Sequence, residues 1–181
     1  MLNVRSVADL NRQIVLNLPR LDRRQFDAVI GVPRSGMLPA TILSTQLQLP
    51  LGTVESFGSR GIVYGRSGER QAITNARILL VDDTVNHGTA MARAVKAVRR
   101  HAREVTRFCV FGPYRGIEGL VDIFCETVRG PRAFEWNLTK HRRLPRWDFD
   151  MDGVFCRDPT KAENDDGRRY VQFMREAEPL W

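Results

Sequence analysis

Cysteine is scarce: three among 181 residues, Cys109, Cys125 and Cys156, widely spaced and with no Cys-x-x-Cys pair. That argues against a disulfide framework and against a structural zinc site. A reducing cytoplasm is the simplest setting. Long apolar runs are missing too, and none approaches the roughly 20 residues needed to cross a bilayer, so no membrane role is expected. The opening Met-Leu-Asn-Val-Arg-Ser lacks the apolar core of a secretory leader. Acids are outnumbered, 21 against 28 Lys and Arg, leaving a net charge of +7. A chain this basic binds nucleic acid or small polyanions such as pyrophosphate. Arg93, Lys96, Arg99, Arg100 and Arg103 lie opposite Met91, Val95, Val98, Ala102 and Val105 at helical spacing, the pattern of a solvated helix face. Lys140 to Arg146 reads as a basic connecting segment. Nucleic acid is therefore the less favoured partner.

What is present is the make-up of a soluble globular protein, 43% apolar and 27% charged, long enough for one domain or one domain plus an appendage. Ser6 with Asp9 resembles a capping box, and Val7, Leu10, Ile14 and Leu18 then share a face, predicting an opening helix closed by Pro19. Phe26 to Val32 is a short apolar run, followed by Gly31-Val-Pro-Arg-Ser-Gly36 and a helical pattern through Leu47. Leu51 to Phe57 reads as a strand, and four glycines between Gly58 and Gly68, with Arg60, Tyr64, Arg66 and Arg70, predict a mobile basic loop. Arg77–Asp83 reads as a strand, Thr89–Arg103 as a helix, and Val105–Gly112 and Val121–Val128 as further strands. Strands alternating with helices imply a parallel sheet covered on both faces, with ligands at the carboxyl ends of its strands.

The stretch from Arg77 to Met91 is the most informative. The aliphatics Ile78 to Val81 end in two carboxylates, Asp82 and Asp83, and a small loop with Gly88 leads into a helix. Free backbone N–H groups and the helix dipole attract a phosphate there. The acids can accept hydrogen bonds from sugar hydroxyls or help hold a hydrated metal ion.

Leu80-Val-Asp-Asp-Thr-Val-Asn-His-Gly-Thr-Ala-Met91 resembles the sugar-phosphate motif of type I phosphoribosyltransferases. Gly31-Val-Pro-Arg-Ser-Gly36 resembles their pyrophosphate loop, and the segment at 58–70 lies where that family carries its flexible catalytic loop. The resemblance covers roughly residues 1 to 137 and implies an α/β fold, a Rossmann-type parallel-sheet core with helices on both faces, plus a C-terminal appendage. It also implies transfer of a phosphoribosyl group from 5-phosphoribosyl 1-pyrophosphate to a nucleobase-like nitrogen acceptor, with Mg²⁺. Asp82 and Asp83 would then address the ribose hydroxyls, directly or through metal-bound water. Thr84, Val85, Asn86, His87, Gly88 and Thr89 would cradle the 5-phosphate. Arg34, Ser35 and Gly36 would bind pyrophosphate, and Tyr64 and Arg66 would close over it. A hood near residues 121–137 would meet the base, with Trp136 stacking on it or serving as a buried anchor. Members of the family are commonly homodimers.

Three positions depart from the family pattern. Asn86 stands where an acid is common, His87 where Thr or Ser is usual, and Ala90 where another Thr is common. An amide cannot remove a proton. These departures favour the alternative, a non-catalytic sensor or binding module for phosphoribosyl pyrophosphate or a nucleotide. In the remaining 138–181, a basic linker leads to Trp-Asp-Phe-Asp-Met-Asp-Gly-Val-Phe155. This resembles the first motif of haloacid dehalogenase-like phosphatases, whose acids would be Asp150 and Asp152. The remaining chain has no room for the rest of that fold, so the tail is read as incomplete and without phosphatase activity.

Overall fold

The computed structural model describes residues 2–113, 119–140, 156–165 and 167–178. Two compact units, Met1–His141 and Arg142–Trp181, are distinguished.

The first unit is a doubly wound α/β layer structure. Its strands are β1 (Asn3–Arg5), β2 (Ala28–Gly31), β3 (Leu51–Thr53), β4 (Ile62–Tyr64), β5 (Arg70–Ala72), β6 (Ala76–Thr84), β7 (Ala102–Gly112), β8 (Ile123–Thr127) and β9 (Arg132–Phe134). The helices are α1 (Val7–Asn17), α2 (Met37–Leu47), α3 (Val54–Arg60) and α4 (Thr89–Val98). Seven strands form one sheet in the order β5-β4-β3-β2-β6-β7-β8, parallel from β3 to β8, with β4 and β5 as an antiparallel edge hairpin. The first and last strands, β1 and β9, pair in parallel as a separate two-stranded sheet.

Alternation along the central strands sorts the core into two layers. Val29, Leu79, Val81, Phe108 and Val110 pack with Leu10 and Ile14 of α1 and Leu43 of α2. Ile30, Ile78, Leu80 and Cys109 pack on the other face with Phe57 of α3 and Met91, Ala94 and Val98 of α4. The helix after β2 thus lies on one face and the helix after β6 on the other, although β2 and β6 are neighbours. That reversal opens a crevice at the carboxyl ends of the two strands, where open α/β sheets bind ligands.

Several elements differ from the sequence reading. Residues 51–57 are not one strand: β3 ends at Thr53, whose side chain caps α3 in a capping box with Ser56. The expected mobile loop at 58–70 is largely structured as the end of α3 and the hairpin β4–β5, leaving a turn at 65–69. Helix α4 stops at Val98, and Arg103 belongs to β7. The opening helix is present with its reciprocal Ser6–Asp9 cap. Residues 3–5 ahead of it form β1, for which three residues carry no legible pattern.

In the second unit, α5 (Arg168–Glu176) buries Phe173 beneath the Arg157 guanidinium, 4.8 Å above its ring, and Arg157 pairs with Glu163 at 2.7 Å. The Trp147–Phe155 motif with Asp150 and Asp152, and residues 141–146 of the basic run, lie outside the described residues. Among the described residues no helix is long and apolar enough to cross a membrane.

Candidate functional site

Two loops meet at the crevice. The first, 32–36, leaves β2. Gly36 opens α2 under a tight restriction, because a Cβ there would meet the Val32 carbonyl at 2.5 Å and Asp82 Oδ1 at 2.9 Å. The carbonyls of Arg34 and Ser35 accept from Met37 and Leu38, which closes the turn. The N–H groups of Arg34, Ser35 and Gly36 have no protein acceptor among the described residues.

The second loop, 84–89, leaves β6. Gly88 caps α4 with φ +73°, and a Cβ there would meet Leu120 Cδ2 at 2.6 Å, so this position needs glycine on two counts. The N–H groups of Asn86, His87, Gly88 and Thr89 have no protein acceptor among the described residues. Asn86, His87 and Thr89 are exposed, Val85 is buried, and Thr84 is half-buried with its hydroxyl covered and unpartnered. Two neighbouring strand ends therefore each present a row of unfilled backbone donors at a helix start, an arrangement that binds anions.

The acid pair stands between the loops, and both members are buried: Asp82 is 6% exposed and Asp83 2%. Their surroundings differ. Asp82 Oδ1 accepts the Asp83 backbone N–H at 3.0 Å, and its carboxyl also lies within hydrogen-bond reach of the Asp83 carboxyl. Burial, with the Asp83 charge beside it, pushes Asp82 up to about 8. Asp83 is instead saturated by donors. Ser35 Oγ donates to its Oδ1 at 2.9 Å, while Trp136 Nε1 and Asn137 Nδ2 donate to its Oδ2 at 2.6 Å and 3.3 Å.

Trp136 follows β9 and is half-buried, packed against Phe134 at 5.3 Å and stacked on Phe111 of β7 at 6.1 Å between centroids. Of the two roles the sequence leaves open for it, these contacts are those of an anchor. Asn137 also accepts from the exposed Arg34, Nη2 to Oδ1, at 3.4 Å.

Sequence reasoning missed Arg132. From β9 its Nη2 donates to the Val85 carbonyl at 3.2 Å and reaches Asn86 Oδ1 at 3.5 Å, while Nη1 is buried without a partner. Its only signal was a position just after the Gly130-Pro131 turn. Tyr64 and Arg66 are not brought to the cluster. Tyr64 pairs with Leu51, the first residue of β3, and β4 lies two strands from β2 and three from β6. No hydrogen bond, ion pair or ring contact joins either residue to the two loops.

Among the described residues no group of three or more His, Cys, Asp or Glu could hold a metal ion. Asp83 supplies both the backbone N–H and the side-chain contact of Asp82, and no salt bridge joins Asp82 to a cation among the described residues. That suits Mg²⁺, which keeps most of its waters and takes phosphate oxygens with only one or two protein carboxylates.

A profile of the phosphoribosyl transferase domain matches residues 2–129. Orotate phosphoribosyltransferase from Pyrobaculum calidifontis is 34% identical over 94 residues, 52% of this chain and 48% of that protein. The transcriptional regulator GfcR from Methanocorpusculum labreanum is 30% identical over 94 residues, 51% of this chain and 48% of that protein. The chain thus spans about half the length of the curated relatives it matches. The crystal structure of purine phosphoribosyltransferase from Pyrococcus horikoshii superposes with a TM-score of 0.57 at 20% identity, covering 74% of this chain and 92% of that one. At that identity the likeness speaks for the fold alone.

Proposed function

Because the chain belongs to the phosphoribosyl transferase domain family, we propose that it binds 5-phosphoribosyl 1-pyrophosphate and transfers the phosphoribosyl group to a nucleobase-like nitrogen acceptor. The observation that carries this reading is the pair of unfilled N–H rows, at 34–36 and 86–89, on the adjacent ends of β2 and β6 with an acid between them. A ligand with a phosphate at one end, a pyrophosphate at the other and a diol between matches that order of donors and acceptor.

In this reading the N–H groups of Arg34, Ser35 and Gly36 hold the pyrophosphate, and those of Asn86 to Thr89 hold the 5-phosphate, with exposed His87 as an added donor. Asp82 accepts from a ribose hydroxyl and fixes the sugar. The bond from the anomeric carbon to the pyrophosphate oxygen breaks as the bond to the acceptor nitrogen forms. The leaving oxygen keeps the electron pair, and the 34–36 donors stabilise its growing charge. Mg²⁺ would be held by Asp82 and the pyrophosphate oxygens, and when bound supplies Lewis-acid stabilisation of the leaving group. Asn86 cannot act as a base, so the acceptor must arrive able to lose its proton to solvent. Tyr64 and Arg66 would have to cross β3 to reach the leaving group, and the reading gives them no part. Assembly as a homodimer and work in the cytoplasm belong to the same proposal.

The second reading is a sensor that binds the same ligand without turnover. The absence of an acid at Asn86 favours it, and one relative is a transcriptional regulator. Incubation of the protein with phosphoribosyl pyrophosphate, Mg²⁺ and a panel of purine and pyrimidine bases separates the two. Pyrophosphate release that depends on one base supports transfer. Ligand binding with no release from any base supports the sensor.

A further inference from the structure

We propose that the two acids divide the work: Asp82 alone faces the ligand, and Asp83 is a positioning residue that clasps the Trp136–Asn137 segment to the Arg34–Ser35 loop. The first half rests on the reading above, and the second stands on geometry alone.

Adjacent residues of a strand point to opposite faces. Asp82 continues the row of Ile78 and Leu80, which packs toward α3 and α4, whereas Asp83 continues the row of Leu79 and Val81, which packs toward α1 and α2. Phe111, Phe134 and Trp136 lie on that second side. Asp83 therefore meets the indole for the same reason that Asp82 does not. The carboxylate of Asp83 takes one donor on Oδ1 and two on Oδ2, and only 2% of the residue is exposed. Each of its oxygens is engaged by protein. A sugar hydroxyl could reach it only by displacing an indole already packed against Phe111 and Phe134.

The donors come from two parts of the chain about 100 residues apart in sequence: Ser35 from the β2 loop, Trp136 and Asn137 from the segment after β9. Asn137 adds a second tie by accepting from Arg34. The clasp thus bears on the loop whose N–H groups await pyrophosphate. It has no such tie to the 86–89 loop.

Asp83→Asn preserves the clasp, since the new carbonyl accepts from Trp136 and Asn137 while the new amide donates to Ser35 Oγ. Trp136→Phe keeps the stacked ring and removes only the N–H. In calorimetric titrations with phosphoribosyl pyrophosphate and Mg²⁺, Asp83→Asn is expected to bind within about threefold of wild type, while Asp82→Asn loses about 30-fold or more. Trp136→Phe is expected to weaken inorganic pyrophosphate by about fivefold and leave ribose 5-phosphate unchanged, a split that general loosening of the fold would not produce. Equal losses from the two Asn variants would place Asp83 on the ligand and overturn the proposal.

A ligand-free readout keeps the two readings separate. In ¹⁵N-labelled protein, the indole resonance deleted by Trp136→Phe should lie downfield and exchange slowly, and Asp83→Asn should shift it upfield. If it stays put, the clasp is wrong whatever the protein binds. If it shifts while wild type ignores phosphoribosyl pyrophosphate, the clasp stands and the proposed ligand fails.

Discussion

Asp82 is a carboxylate held where folding alone would not put one. The core strand β6 carries it to the crevice, 6% exposed, beside a second acid and with no cation near it. Its carboxyl is raised to about 8 by that burial and by the Asp83 charge, against an ordinary value near 4 for a free aspartate. The unfolded chain therefore releases this proton before the folded one does. Its contribution to stability is greatest below about pH 4, declines as pH rises, and is fully lost above about pH 8. Asp82→Asn removes the titration and keeps the acceptor for the Asp83 N–H. The variant is expected to be more stable than wild type at pH 7.5 by at least on the order of 1 kcal/mol, a few degrees in Tm. Its advantage should shrink toward pH 4. Thermal scans across that range check this, and a variant less stable than wild type at pH 7.5 would contradict it. A residue whose ionisation costs stability at the end of a core strand is one whose part is not in folding.

At the scale of elements, the site depends on how β6 hands over to α4. Gly88 supplies a left-handed turn, and its missing Cβ leaves room for Leu120. Gly88→Ala is expected to cost about 1–3 kcal/mol and to weaken ribose 5-phosphate more than pyrophosphate, because the strain falls on the 86–89 donors. Denaturant melts and the two titrations test this; equal weakening of both ligands would count against it. Much of this handover was legible in the sequence: an aliphatic run, two acids, a glycine and a helical period each carry a local signal. The same holds for Gly31–Gly36 and for the Ser6–Asp9 cap. Thr53 misled, because a capping residue inside an apolar run is easily read as strand. Other features depend on distant partners. The pairing of β1 with β9 joins residues 3–5 to 132–134, and Arg132 reaches Asn86 only through it. The opposite facing of Asp82 and Asp83 was implicit in strand alternation, but which face held an indole became visible only once Phe111, Phe134 and Trp136 were placed together.

At the scale of the whole molecule, the excess of positive charge is partly spent on the fold. Arg5, Arg77 and Arg107 pair with Glu126, Asp27 and Asp122, and Arg157 pairs with Glu163. Arg34 and Arg132, by contrast, end on neutral oxygens at the crevice, with no carboxylate salt bridge among the described residues. Their charge, that of Arg132 partly offset by Asp83, stands beside two rows of N–H donors and gives the site a field suited to a polyanion. The topology that puts α2 and α4 on opposite faces of adjacent strands is what brings those rows together. One ligand spanning both loops across Asp82 is what this arrangement implies. Calorimetric titration of the wild-type chain with phosphoribosyl pyrophosphate and Mg²⁺, repeated with Asp82→Asn, tests it most directly. One-site binding tighter than that of either pyrophosphate or ribose 5-phosphate is expected, together with its loss in the variant. Affinity no better than that of the two fragments, or unchanged in Asp82→Asn, would contradict it.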